Sequence, residues 1–100
     1  MQDLRSCFFT NEFLLSDKEG NKIDLEGNVH FLRSKIDNLT ICHLVVDDGG
    51  GYLTNAVGRD VSYNDSPLEA QRGAFRDALR DIAEIKEWEI CILNREEVEV

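Results

Sequence analysis

Paired metal ligands, a long apolar run, a basic leader and an excess of positive charge are all missing from this sequence, and each absence removes a class of protein. The three cysteines, Cys7, Cys42 and Cys91, lie far apart, each inside an apolar run. An odd number without a close pair argues against a disulfide framework and casts them as small hydrophobes. His30 and His43 add two potential ligands, but a structural zinc site needs two close ligand pairs. Only Cys42 and His43 are neighbours, and adjacent strand residues point to opposite faces. Gly49-Gly50-Gly51 lacks the Gly-Lys-Ser/Thr ending of a phosphate loop, and Thr54 stands where a dinucleotide fingerprint needs glycine. A calcium loop counted from Asp47 or Asp48 reaches Gly58 or Arg59 at its twelfth position, where an acid is required. Neither a metal nor a cofactor is expected. No apolar stretch approaches the length that spans a bilayer, and Met1 to Ser6 lacks the basic start and apolar core of a secretion signal. The expected location is cytoplasmic.

What the chain does have is acid. Twenty Asp and Glu against eleven Lys and Arg give a formal net charge of −9 in 100 residues. Such a field repels phosphate backbones and anionic lipid heads, and it speeds encounter with basic proteins. Direct nucleic acid and membrane are therefore excluded as expected partners. With 42% hydrophobic and 31% charged residues, residues 1–100 are expected to form a single globular domain.

The clearest element is a long amphipathic helix over 66–87. Ser66, Pro67 and Glu69 form a capping start, and Leu68, Gln71, Phe75, Ala78, Leu79, Ile82 and Ile85 fall on one arc at helical spacing. Before it, Cys7 to Leu15 reads as a buried strand, Asp17 to Asn21 as a turn, and Lys22 to Leu25 as the returning arm of a hairpin. Val29, Leu32 and Ile36 have the spacing of a short helix near 28–37, although an extended edge fits the same stretch. Leu39 to Val46 reads as a central strand, Asp47 to Gly51 as a turn, and Tyr52 to Tyr63 as a strand kinked or bulged at Gly58. A last strand follows at Trp88 to Leu93, and the acidic tail from Asn94 extends it or frays. The expected class is α+β: a mainly antiparallel sheet of about five strands with the long helix on one face.

On the helix, Arg72, Arg76 and Arg80 recur every fourth residue beside the apolar arc, with Asp77, Asp81 and Glu84 farther round. Weak ion pairs lacing a solvated face account for that pattern. The strand, turn, strand and helix with Glu69-Ala70, Ala74 and Ala78-Leu79 resembles the second half of a double-stranded-RNA-binding domain over about a third of the chain. That family grips phosphates with lysines at the helix start, where this chain has Ser66, Pro67, Leu68 and Glu69. The resemblance implies topology and not RNA binding.

The functional expectation is a non-enzymatic acidic interaction module. It would be an inhibitor or adaptor docking on a basic, nucleic-acid-binding protein by imitating a phosphate backbone, as phage anti-defence proteins do. The acids expected at the interface are Asp47, Asp48, Asp60, Asp65, Asp77, Asp81 and Glu84. Two alternatives come from other classes. One is a small enzyme or ligand-binding domain using the 47–52 loop with His43 and Cys42; the other is a homodimer through an edge strand.

Overall fold

The computed structural model describes residues 2–61 and 67–93. Its elements run β1 (Gln2–Asp3), β2 (Phe13–Ser16), β3 (Lys22–Ile23), β4 (Gly27–Ser34), β5 (Leu39–Asp47), β6 (Leu53–Val61), α1 (Pro67–Lys86) and β7 (Glu89–Ile92). The architecture is α+β, with two antiparallel sheets in place of the expected one: β1-β4-β5-β6 and β3-β2-β7. The expected capping residue Ser66 lies outside the described residues, as do the tail and any extension of the last strand.

The larger sheet is a meander whose alternation is strict. Thr40, Cys42, Leu44 and Val46 of β5 turn inward and are buried, while Ile41, His43 and Val45 face the other way and are half-buried. Helix α1 lies over the inward side, against β5 and β6. The core joins Val29, Cys42, Leu44 and Val46 of the sheet to Phe75, Ala78, Leu79 and Ile82 of the helix, with Phe9, Phe13 and Leu15 closing one side.

Residues 28–37 are not a helix. Gly27–Ser34 pairs with β5 residue for residue, from Gly27↔Val46 to Ser34↔Leu39. The three residues with helical spacing share no core, since Val29 is buried while Leu32 and Ile36 are 55% and 92% exposed. Period-two burial and a full ladder against β5 outweigh a three-residue helical coincidence. Cys7 to Leu15 is also not a continuous strand. Two 3-10 turns, Leu4–Ser6 and Phe8–Glu12, precede β2. Asp3 Oδ1 accepts from the Arg5 amide at 2.9 Å, and the Thr10 hydroxyl donates to Cys7 O at 2.8 Å. Turning the chain this way brings the Phe9 and Phe13 rings to 5.8 and 6.0 Å from the one Phe75 ring, whereas an extended run would put them on one face but about 13 Å apart.

The hairpin of β2 and β3 and the turn between them match the sequence, with Asp17 Oδ1 accepting from the Glu19 and Asn21 amides at 2.9 Å. The last strand pairs with β2, from Phe13↔Ile92 to Ser16↔Glu89, so it enters the smaller sheet and not the one α1 covers.

Helix α1 has the expected inward direction but a different extent. Ala70, Ala74 and Ala83 join Phe75, Ala78, Leu79 and Ile82 in the buried set. Leu68 and Ile85, in the first and last turns, are 51% and 61% exposed. Small residues let the helix sit close to β6, and the ends overhang it. The helix stops in a Schellman motif without glycine: Glu87 takes φ +60°, its amide donates to Glu84 O, and the Trp88 amide donates to Ala83 O at 2.8 Å.

Gly58 does not mark a bulge. The β5–β6 register is one-to-one from Leu39↔Val61 to Asp47↔Leu53. What needs a glycine is the helix, because a Cβ at position 58 would lie 2.0 Å from Ala74 O and 2.4 Å from Ala78 N.

Candidate functional site

The expected interface acids separate into two groups. Asp47 and Asp48 open the β5–β6 turn and are used by it. Asp47 Oδ1 accepts from the Gly49 amide and Asp48 Oδ1 from the Gly50 amide, both at 2.9 Å, where Gly49 and Gly51 take φ near +85°. Asp48 also meets Lys86 Nζ at 3.3 Å, tying the turn to the end of α1. The Gly50 amide first, and then Lys86, hold the Asp48 carboxyl below the usual carboxylate range.

The second group follows the flank of α1 that borders β6. Asp60 of β6 sits against Gly73, where a Cβ would fall 2.1 Å from Asp60 Oδ2. Asp77 is one turn on and accepts from the Arg59 backbone amide at 3.0 Å. Asp81 and Glu84 succeed Asp77 at i+4 and i+7, so they continue the same flank, and all three side chains are exposed. Asp65 lies outside the described residues, so the structure leaves its place unstated.

The arginine row does not lace this acidic flank. Arg72 points to the opposite side, where its Nε donates to Glu12 Oε1 at 2.8 Å, its Nη1 pairs with Glu69, and its guanidinium stands 5.8 Å from the Phe9 ring centre. Glu12 is a buried acid, 8% exposed, and the composition held no signal for its pairing with a residue 60 positions away. Arg76 buries its Nε without a hydrogen-bond partner among the described residues, and Arg80 is exposed. Arg72 therefore faces away from the acidic flank, while Arg80, three residues after Asp77 and four before Glu84, borders it.

Cys42 and His43 do not meet. Cys42 is fully buried beneath the helix, and desolvation, with a smaller contribution from Cys7, pushes its thiol from 9.0 up to about 12. His43 projects from the opposite side of β5, where Nε2 is 3.2 Å from Asn55 Oδ1, and its cross-strand neighbour is His30. A buried neutral thiol across the sheet from the imidazole has no base to activate it. Among the described residues, no three His, Cys, Asp or Glu side chains are grouped to hold a metal. A cavity of about 510 Å³ lies between the hairpin and the first 3-10 turn, lined by Leu4, Arg5, Phe13, Lys22, Ile23 and Leu25 among others. No described helix is long and apolar enough to cross a membrane.

The raised Cys42 value has a consequence for stability in alkali. The unfolded thiol ionises near 9 and the folded one only near 12, so the folded state keeps a proton that the unfolded state has lost. Its contribution is complete below pH 9 and declines as the pH climbs toward 12. The unfolding free energy is expected to drop by up to about 1.4 kcal/mol per pH unit in that window. Urea titrations of the wild type and Cys42→Ala between those limits check it; the difference in stability between the two chains should shrink as the pH rises, and a constant difference refutes it.

A third surface is the outward face of the larger sheet. Leu32, Leu53, Val57 and Val61 on it are 40 to 62% exposed, and the strand β7 forms an outer edge of the smaller sheet. No family model, curated protein or solved structure matches the chain.

Proposed function

We propose that this protein is a non-enzymatic acidic interaction module that docks the β6-facing flank of α1 on a basic protein, acting as an inhibitor or adaptor. The observation that carries the reading is the exposed row Asp77, Asp81 and Glu84, continued by Asp60, with Arg72 turned to the other side of the helix. Carboxylates spaced along one helix flank, outnumbering the one arginine, Arg80, that borders them, present a linear negative potential of the kind that nucleic-acid-binding grooves accept. A partner that normally binds nucleic acid is the natural target, and the module then acts as a nucleic-acid mimic.

The test is capture of partners from source lysate on the immobilised protein, followed by elution in salt and in duplex DNA. Raising salt from about 0.1 M to about 1 M shortens the screening length from about 10 to about 3 Å. The captured protein is expected to be a nucleic-acid binder that leaves in high salt, is displaced by DNA, and is held poorly by an Asp81→Asn, Glu84→Gln variant. Retention that is equal at both salt concentrations and untouched by the double substitution refutes charge-led docking.

A further inference from the structure

We propose that the open edge of β6 takes up an extended segment of a basic protein as an added strand, with the basic side chains of that segment turned to the acidic flank of α1. The inference rests on the docking reading above and deepens it, because it states which backbone is met and what form the partner takes.

The register decides which groups the edge offers. In the turn before β6 the Asp48 amide donates to Tyr52 O, and the same one-to-one pairing runs on through Val46↔Thr54, Leu44↔Ala56 and Cys42↔Gly58. Hydrogen-bonded pairs alternate with non-bonded ones along an antiparallel ladder, so the even-numbered residues of β6 direct their amides and carbonyls to β5. The odd-numbered residues turn theirs outward. Arg59 follows this phase, since its amide is met from beyond the sheet by Asp77 Oδ2 at 3.0 Å. β6 is the last strand of its sheet, and among the described residues no hydrogen bond reaches the outward main chain of Leu53, Asn55 or Val57. Asp77 blocks the edge at Arg59, and the half nearer the turn is open.

The helix runs antiparallel to β6 beside this edge, from Gly73 at Asp60, past Ala74 and Ala78 at Gly58, to Lys86 at Asp48. From Asp77 at Arg59, a rise of about 1.5 Å per helical residue carries Asp81 about 6 Å and Glu84 about 10 Å farther. With about 3.3 Å per strand residue, both lie beside the stretch from Val57 to Asn55. Both are exposed, and neither has an ion pair or hydrogen bond among the described residues. Ile85, one turn after Asp81, adds an apolar contact at 61% exposure.

Side chains of an added strand alternate between two faces. Those on the helix side meet Asp81, Glu84 and Ile85, and those on the other side lie next to Leu53 and Val57, which are 62 and 40% exposed. The occupant that fits has Lys or Arg at every second position and apolar residues between. Main-chain bonds give such additions their affinity, and the alternate side chains give specificity. A second copy does not fit, because antiparallel pairing of two β6 edges sets Asp81 and Glu84 against the same carboxylates.

Fluorescence anisotropy on the full chain tests the proposal with the labelled peptide Lys-Val-Lys-Val-Lys-Val-Lys. Two further forms carry backbone N-methyl groups on every valine or on every lysine, which keeps the charge and removes the amides facing one edge or the other. The parent is expected to bind at about 100 µM or tighter. One methylated form should lose binding and the other keep it: loss in the valine form marks antiparallel addition, and loss in the lysine form marks parallel addition. Val57→Pro removes an outward amide and leaves the β5 ladder intact, so it should weaken the parent about tenfold with an unchanged circular dichroism spectrum. The Asp81→Asn, Glu84→Gln variant should do the same. No binding of the parent at about 1 mM overturns the inference. Equal binding of all three peptides overturns strand addition, and a loss confined to the acidic variant then leaves charge-led docking standing. Binding that the acidic variant does not weaken overturns both.

Discussion

Gly58→Ala is expected to destabilise the fold by about 3 kcal/mol, near the upper end of the range for overpacking a core. The reason is that nothing near the new methyl can give way cheaply. Its Cβ would stand 2.0 Å from Ala74 O and 2.4 Å from Ala78 N, and both atoms belong to the backbone of α1. Side chains can change rotamer to relieve a clash, but here the whole middle of the helix has to lift. Lifting it opens the contact that Ala74 and Ala78 make with β6, so part of the buried apolar area is lost along with the strain. Gly58→Val adds two more methyls at the same place and is expected to leave little folded protein. Urea denaturation followed by circular dichroism measures both; a Gly58→Ala cost below about 1 kcal/mol would mean that the helix is less closely seated than described.

Phe75→Ala is expected to cost about 3 to 5 kcal/mol, the range for emptying an aromatic site in a core. Phe75 has no exposed surface, and its ring centre lies 5.8 Å from that of Phe9 and 6.0 Å from that of Phe13. It therefore joins three parts of the fold: the helix, the second 3-10 turn and the first strand of the smaller sheet. The loss should be larger than for a core residue that touches only the sheet beneath it. Phe75→Leu, which leaves most of the apolar volume in place, should cost less than half as much. Equal losses for the two substitutions would show that ring stacking, and not filled volume, is what the site requires.

The sequence made α1 legible because Leu68, Phe75, Ala78, Leu79, Ile82 and Ile85 recur at helical spacing and Pro67 stands at its start. It made β5 legible through Ile41, Leu44, Val45 and Val46, and the β2–β3 turn through Asp17, Gly20 and Asn21. Other features were set by tertiary contacts that no local window contains. Val29 and Phe31 belong to a strand because β5 offers eight partners to residues 27–34, while Leu32 and Ile36 supplied a competing helical spacing that has no core to face. Phe8 and Phe9 suggested a strand, yet the chain turns so that Phe9 meets both Phe31 and Phe75. The glycine in β6 signals an irregularity in a strand read alone; its role appears only once a helix lies on it.

The candidate surface was legible in part. The spacing of Asp77, Asp81 and Glu84 put them on one side of a helix, and the structure keeps them there. Asp47 and Asp48 looked equally available in the sequence, but their oxygens accept turn amides. Arg72 shares the helix with those acids, and its direction depends on Glu12, a residue from the other end of the chain. Composition can count charges, but only the fold decides which of them are already occupied.

The pairing of β2 with β7 bears on how the molecule reaches its folded state. Phe13 meets Ile92 across that ladder, so the smaller sheet is zipped shut by segments at nearly opposite extremes of the described chain. The meander and its helix can assemble from contacts between neighbours, whereas this closure waits until everything between has been gathered in. Non-local ladders of this kind carry a large loop entropy and form late. Hydrogen exchange should therefore find the β2 and β7 amides opening well before those of β5, with the strap unbuckling while the rest of the body stays closed.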